Sequence, residues 1–331
     1  MSFIKDIKHQ RKSRTKDYPL HMGTKFKYII YFLAVFITAC GNGGTVKIKD
    51  TSTSGRISIG ADDEFRPITE AELSVFQGLY ENTNIHPIYT TEDSAFSLLK
   101  NDSVRLIVAG RKLLPQEQTY FQQLKINPQQ VKIASDAIVL IVNNNNPDTL
   151  LSLDKIKAVF NGQDSLWKQI NNKSSAGKIS VVFDRENSGN SYYIAQKLLA
   201  GKKFPSYCFA LHSNTEVVNY VSKNENTIGI ISLNWISNEY DSTVISFLKR
   251  VKVVALSLNE SKNPADYFKP FAYYIETNQY PLCRDIYIIS RESYTGLGSG
   301  FLSFVTSNKG QRLVYREGLL PIRTIGHTIH F

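Results

Sequence analysis

The segment Phe183-Asp184-Arg185-Glu186-Asn187-Ser188-Gly189-Asn190-Ser191 offers the clearest chemistry in the chain. An apolar strand over 179–183 runs into a polar loop, and the pattern predicts a helix over 191–200. Ser188, Gly189 and Asn190 then place backbone N–H groups and short polar side chains at a helix N-terminus. Unpaired donors and the helix dipole hold oxyanions at such a place. Arg185, three residues earlier, adds a guanidinium that can grip a tetrahedral anion with two parallel hydrogen bonds. The same residues also read as a plain Ser N-cap beside an exposed arginine, and spacing alone does not separate the two.

Two further loops offer related groups. Arg111 follows the continuous apolar run 104–109, and a basic residue at the carboxyl end of a sheet strand sits where open α/β sheets bind ligands. Asp62 and Asp63 follow the short strand 56–60. Their carboxylates repel a fully ionised anion, yet one of them can accept a hydrogen bond from a protonated oxyanion, which favours hydrogen phosphate over sulfate. Helix-capping acids and a surface arginine are the plainer alternatives.

Enzymatic signatures are missing. The chain has no Gly-x-x-x-x-Gly-Lys-Ser/Thr loop, no Gly-x-Gly-x-x-Gly, no His-Glu-x-x-His and no Gly-x-Ser-x-Gly elbow. The six histidines are scattered, and His327 and His330 in the tail read as solvated side chains rather than metal ligands. No cofactor, metal site or catalytic residue is expected.

These loops need elements to hold them, and the pattern supplies strands alternating with helices. Strands are expected over 56–60, 84–90, 104–109, 137–142, 179–183, 227–232 and 252–258. Helices are expected over 68–80, from 94, over 152–160, over 191–200 and over 301–315. Runs buried on both faces, separated by helices, argue for parallel α/β sheets with right-handed crossovers.

The charge of the chain belongs to its beginning. Of 39 basic and 29 acidic residues, eight basic and two acidic ones lie in 1–39, leaving 31 against 27 over the rest. That remainder is unremarkable, so the net charge of +10 is no argument for nucleic acid. Lys25 and Lys27 precede an apolar run over 28–39, which is too short to span a membrane and ends Thr38-Ala39-Cys40. A positive stretch, a short apolar core and a small residue before the cut describe a secretory signal. Residues 1–39 are therefore expected to be a signal peptide, with Met22 as an alternative start, and the Cys at its end resembles a bacterial lipobox with lipidation at Cys40. Residues 40–54 read as the lipidated Cys and a flexible tether. In an oxidising compartment Cys208 and Cys283 are either disulfide partners or two buried free thiols.

Four stretches in order then resemble one family. They are Leu153-Asp154-Lys155-Ile156-Lys157-Ala158-Val159-Phe160-Asn161-Gly162 with Trp167, Arg185-x-x-Ser188-Gly189-Asn190, Asn226-Thr227-Ile228-Gly229-Ile230-Ile231, and Tyr280-Pro281-Leu282-Cys283-Arg284 with Gly310-Gln311. Together they look like the phosphate-binding component of bacterial phosphate ABC transporters, in the type II periplasmic binding-protein superfamily. The likeness covers about 55–322. It departs from the family at Asn190, where Thr is usual, at Asp62-Asp63, where Ser or Thr is usual, and at Arg111, where several members carry Asp.

The resemblance implies a two-lobed α/β fold, each lobe a mostly parallel sheet flanked by helices, joined by two crossover strands. Lobe one is expected over 55–136 plus 248–331 and lobe two over 137–247. It implies a monomeric, non-enzymatic receptor that holds inorganic phosphate with Arg185, Ser188, Gly189, Asn190, Arg111, Asp62 and Asp63. The partners implied are an ABC permease in the inner membrane and the membrane itself through the lipid on Cys40, with the protein on the periplasmic face. A receptor for sulfate or molybdate, or a sensor without a transport role, is the alternative.

Overall fold

The computed structural model describes residues 50–323. The expected signal peptide, Cys40 and the tether up to residue 49 lie outside them. Among the described residues no helix is long and apolar enough to cross a membrane.

The chain first builds β1 (Gly55–Asp62), α1 (Arg66–Leu79), β2 (Thr83–Thr90), α2 (Glu92–Lys100), β3 (Leu106–Ala109) and α3 (Pro115–Gln123). The 15-residue strand β4 (Gln129–Asn143) follows. Beyond it come β5 (Leu150–Ser152), α4 (Leu153–Phe160), α5 (Trp167–Ile170), β6 (Ser180–Phe183) and α6 (Gly189–Leu199). Then β7 (Cys208–Ala210), α7 (Asn214–Lys223), β8 (Thr227–Ser232), α8 (Ser242–Leu248), β9 (Val251–Val253) and β10 (Ala255–Ser257). The last elements are α9 (Ala272–Glu276), β11 (Cys283–Ser290), α10 (Leu297–Val305), α11 (Asn308–Arg316) and β12 (Leu320–Pro321).

The main sheet runs β2-β1-β3-β11-β4-β8-β6-β7. It consists of two halves that share β4: residues 129–137 of β4 pair with β11, and residues 138–142 pair with β8. Within the halves, β1 runs parallel to β2 and β3, and β6 runs parallel to β7 and β8. The antiparallel strands β11 and β4 stand between those parallel sets. Because Ser232 lies opposite Ile138, the carboxyl end of β8 meets β4 at its middle. The carboxyl ends of β1 and β3 point to the same place from the other half, which brings the loops after both sets of strands together.

Burial explains the middle of β4. Every residue from Ile133 to Val142 is buried, and the run Ala137-Ile138-Val139-Leu140-Ile141-Val142 is packed on both faces. Its amino-terminal part reads as polar because Gln129 and Lys132 face solvent, so the expected strand over 137–142 begins eight residues early.

Two other expectations change. The run 252–258 is two strands, because Val254 donates to Leu140 O on β4 while Ala255 turns to Thr149 O beside β5. The single helix expected over 301–315 is α10 and α11, divided where Ser307 caps the second one by accepting from Gly310 N–H. Residues 50–54, expected as loose tether, are held. Asp50 accepts from Leu297 N–H at 2.7 Å and from the Tyr294 hydroxyl at 2.6 Å, and Thr51 pairs with Ser54.

Cys208 and Cys283 are free thiols. They stand in β7 and β11, four strand spacings of about 4.8 Å apart across the sheet, and a disulfide needs Cα atoms within about 7 Å. Burial pushes both thiols up to about 12, so neither is a reactive thiolate at neutral pH.

Candidate functional site

The loops that meet at the middle of β4 carry an unusual set of buried charges. At the end of β1, Asp62 caps a short 3-10 turn over Asp63–Phe65 by accepting from Glu64 N–H. Local chemistry explains the turn, since Pro67 opens α1 behind it and an extended Asp is a preferred cap. The turn drives Glu64 inward until it is 0% exposed, and Asn234 Nδ2 bonds its carbonyl oxygen at 3.1 Å.

Arg284 of β11 lies at the centre. Its Nε and Nη2 donate to Asp136 Oδ2 at 3.0 and 2.9 Å, and Nη2 pairs with Glu64 Oε2 at 2.6 Å. Asp136 Oδ2 also accepts from the Ser232 hydroxyl at 2.8 Å. The guanidinium stacks 4.7 Å from the Phe65 ring centroid. Its third corner, Nη1, is buried without a hydrogen-bond partner.

The start of α6 faces this group from the other half of the molecule. Ser188 is the N-cap: its oxygen accepts from Ser191 N–H, and its hydroxyl donates to Asp184 Oδ1 at 2.8 Å. Asn190 N–H donates to Glu64 Oε1 at 2.6 Å, while its side-chain Oδ1 is buried and unpartnered. Gly189 makes this approach feasible. A Cβ there would stand 2.5 Å from Asp62 Oδ2 and 3.3 Å from both Arg284 Nη1 and Glu64 Oε2.

Five carboxyl groups, Asp62, Glu64, Glu92, Asp136 and Asp184, are thus at most 3% exposed around one fully enclosed guanidinium. Charge removed from water at this density is relieved by protonation. Burial, with Glu64 and Glu92 as neighbours, holds Asp62 well above the usual carboxylate range. Burial lifts Glu64 to about 8 against the pull of Arg284, and it also raises Glu92 and Asp184. For Arg284 burial acts the other way, and the facing Glu64, Asp136 and Asp62 overcome it, so the guanidinium stays charged. The site can therefore offer cationic N–H, backbone N–H and carboxylic O–H donors in one dry space. Such a set suits an oxyanion, and a carboxyl that gives up its proton can in turn accept from an oxyanion that carries one.

The residues expected from sequence fall into three groups. Asp62, Ser188, Gly189 and Asn190 meet at the centre. Asp63 and Arg185 meet at its rim, where Arg185 Nη2 lies 3.5 Å from Asp63 Oδ2, Arg185 Nε bonds His212 O, and Asp63 also pairs with Arg66. Arg111 is not turned to the centre. It is held by Glu92, Asp93 and Glu117 and lies 3.6 Å over the Phe96 ring. Glu64, Glu92, Asp136, Asp184, Asn234 and Arg284 are not among the residues expected to bind, although Asp184 and Arg284 stand inside the quoted motifs. A lone Asp amid the apolar run 133–142 and an Arg opening the strand 283–290 were the available signs, since ionised residues in buried strands need partners. Among the described residues no group of three or more His, Cys, Asp or Glu is arranged to hold a metal ion.

Two α/β half-sheets that share one long strand and face their ligand-bearing loops across buried polar groups define a type II binding protein. The chain belongs to the PBP superfamily, whose domain matches residues 49–309, a family of substrate-binding proteins rather than enzymes. It is 24% identical over 287 residues to the phosphate-binding protein PstS of Borreliella burgdorferi, covering 83% of this chain and 93% of that one. It is 23% identical to PstS of Staphylococcus aureus USA300, covering 84% and 81%. Among solved structures it resembles a phosphate-bound protein from Clostridium perfringens, with TM-score 0.67, 22% identity, and 81% of this chain and all of that one covered. An ABC-type phosphate transport receptor from Vibrio cholerae gives TM-score 0.62 and 20% identity, with the same coverage.

Proposed function

We propose that this chain captures inorganic phosphate between its two half-sheets and delivers it to an ABC importer, working as a monomer anchored outside the cell membrane by lipid on Cys40. The observation that carries this reading is the unpartnered Nη1 of buried Arg284 beside the amino-terminal turn of α6. A fixed cation and backbone donors in one desolvated space offset the dehydration of a small anion. Once it gives up its own proton on binding, Asp62 accepts from the ligand hydroxyl and so selects hydrogen phosphate over sulfate. Binding brings the loops of 55–136 plus 248–331 against those of 137–247, and the closed form is what a permease reads. No bond is broken.

Calorimetric titration of the full chain in detergent tests the reading. Phosphate is expected to bind, with sulfate at least tenfold weaker at pH 7. Equal affinity for both would point to a general oxyanion receptor, and silence with both would overturn the reading. A sensor without a transport role predicts the same binding but no uptake phenotype when the chain is removed from its cell.

A further inference from the structure

We propose that the Glu64 side chain is a built-in occupant of the anion slot, a tethered carboxyl group that an incoming oxyanion must displace. The inference rests on the oxyanion reading above and identifies what competes with the ligand. Glu64 Oε1 takes the Asn190 N–H at 2.6 Å, and Oε2 forms an ion pair with Arg284 Nη2 at 2.6 Å. Those are a backbone donor in the first turn of an 11-residue helix and the one central guanidinium, the two groups an oxyanion needs. Glu64 comes from the opposite half of the molecule, 126 residues away from Asn190 in sequence.

The surroundings show that the slot is cut for more than a carboxyl group. Arg284 Nη1, Asn190 Oδ1 and Asp62 Oδ2 are buried within it and have no hydrogen-bond partner. Glu64 is planar: Oε1 takes one hydrogen bond, and Oε2, which has no hydrogen bond, meets Arg284 only as an ion pair. A tetrahedral anion bearing one proton has further oxygens for Nη1 and a hydroxyl for Asp62 or the Asn190 amide oxygen. Bare Gly189 lets that extra volume approach, since a Cβ there would lie 3.3 Å from Nη1. A ligand that entered while an ionised Glu64 stayed would bring a like charge beside it, so the two exclude each other. Glu64 can leave by side-chain rotation, because its backbone is fixed separately through Asn234.

Occupation also depends on the charge of Glu64. The charged groups facing it are Asp62 on β1, Asp184 after β6 and Arg284 on β11, with Asp136 on β4 behind Arg284 and Glu92 on α2 behind Asp62. Burial, opposed by Arg284 and reinforced by Asp184, sets its titration at about 8, so its rivalry with the ligand is strongest in alkaline solution.

The test compares wild type, Glu64→Ala and Glu64→Gln as full chains in detergent at pH 9. Removing the tether leaves a slot that a free carboxylate fills. Millimolar acetate is therefore expected to raise the melting temperature of Glu64→Ala and leave the wild type unmoved. Phosphate is expected to bind Glu64→Ala at least tenfold more tightly than wild type. No acetate effect specific to Glu64→Ala overturns the inference, and phosphate binding to wild type would then still support the oxyanion reading. Acetate stabilisation with no phosphate binding to either protein keeps the slot and removes phosphate as its ligand. Should Glu64→Ala fail to fold, Glu64→Gln decides: it keeps the volume and an acceptor for Asn190 N–H but lacks the charge. Tighter phosphate binding than wild type supports the inference, and equal, weaker or absent binding overturns it.

Discussion

Arg284 decides the character of the centre. Among the described residues it is the only guanidinium sealed among Asp62, Glu64, Asp136 and Asp184, and it neutralises two of them by direct contact. Arg284→Ala leaves those carboxyls buried without a counter-charge, and the chain is expected to lose about 3–5 kcal/mol in a urea melt at pH 8. Protonation can relieve part of that loss, so the deficit should shrink as pH falls. The same carboxyls give the wild type its own pH dependence. Glu64 titrates at about 8 when folded against 4.5 ordinarily, so the folded chain retains a proton that the unfolded chain has released. Its contribution is full below about pH 4.5 and is lost as pH rises through 8. Asp62, Glu92 and Asp184 are raised too and act with the same sign. The melting temperature should therefore fall from pH 6 to pH 9, and Glu64→Gln should fall less steeply; a flat or rising wild-type curve would refute this account of the burial. The Arg185–Asn190 loop was legible because it follows a strand and opens a helix. Glu64 and Arg284 were not, because their partners lie 126 to 220 residues away in sequence and only the folded sheet unites them.

Elements with uniform burial were the legible ones. Strand 227–232 and helix α4 fall where their runs of apolar residues predict, since both faces or one stripe must be covered. The failures share a cause, which is a change of partner partway along an apolar run. β9 and β10 divide at Val254 because the chain leaves one sheet for another, and hydropathy does not register that step. α10 and α11 divide because a serine cap competes with helix continuation. The amino end of the described chain contributes to this region as well. Asp50 satisfies the first N–H of α10, as an N-cap side chain would. Asp50→Ala is expected to cost about 1 kcal/mol in the same urea melt, whereas a segment that were only tether would tolerate the change without effect.

At the scale of the whole molecule, the shared strand β4 matters most. It passes through both half-sheets and presents Asp136 at the changeover, so the central charge cluster sits where the two halves meet. Relative rotation of the halves about that line would open or close the space around Arg284, which is how a binding protein couples capture to a shape its partner can recognise. The family and the arrangement of alternating strands and helices were readable from ordered motifs. The antiparallel strands β11 and β4 between the two parallel sets were not, since strand order follows from pairing between distant segments. A crystal structure of the protein grown with phosphate tests the central claim most directly. The account predicts a phosphate between the half-sheets, bonded to Asn190 N–H and to Arg284 Nη1, with the Glu64 carboxyl withdrawn from both donors. Phosphate bound elsewhere, or a cleft in which Glu64 still holds Asn190 and Arg284 at saturating phosphate, would contradict it.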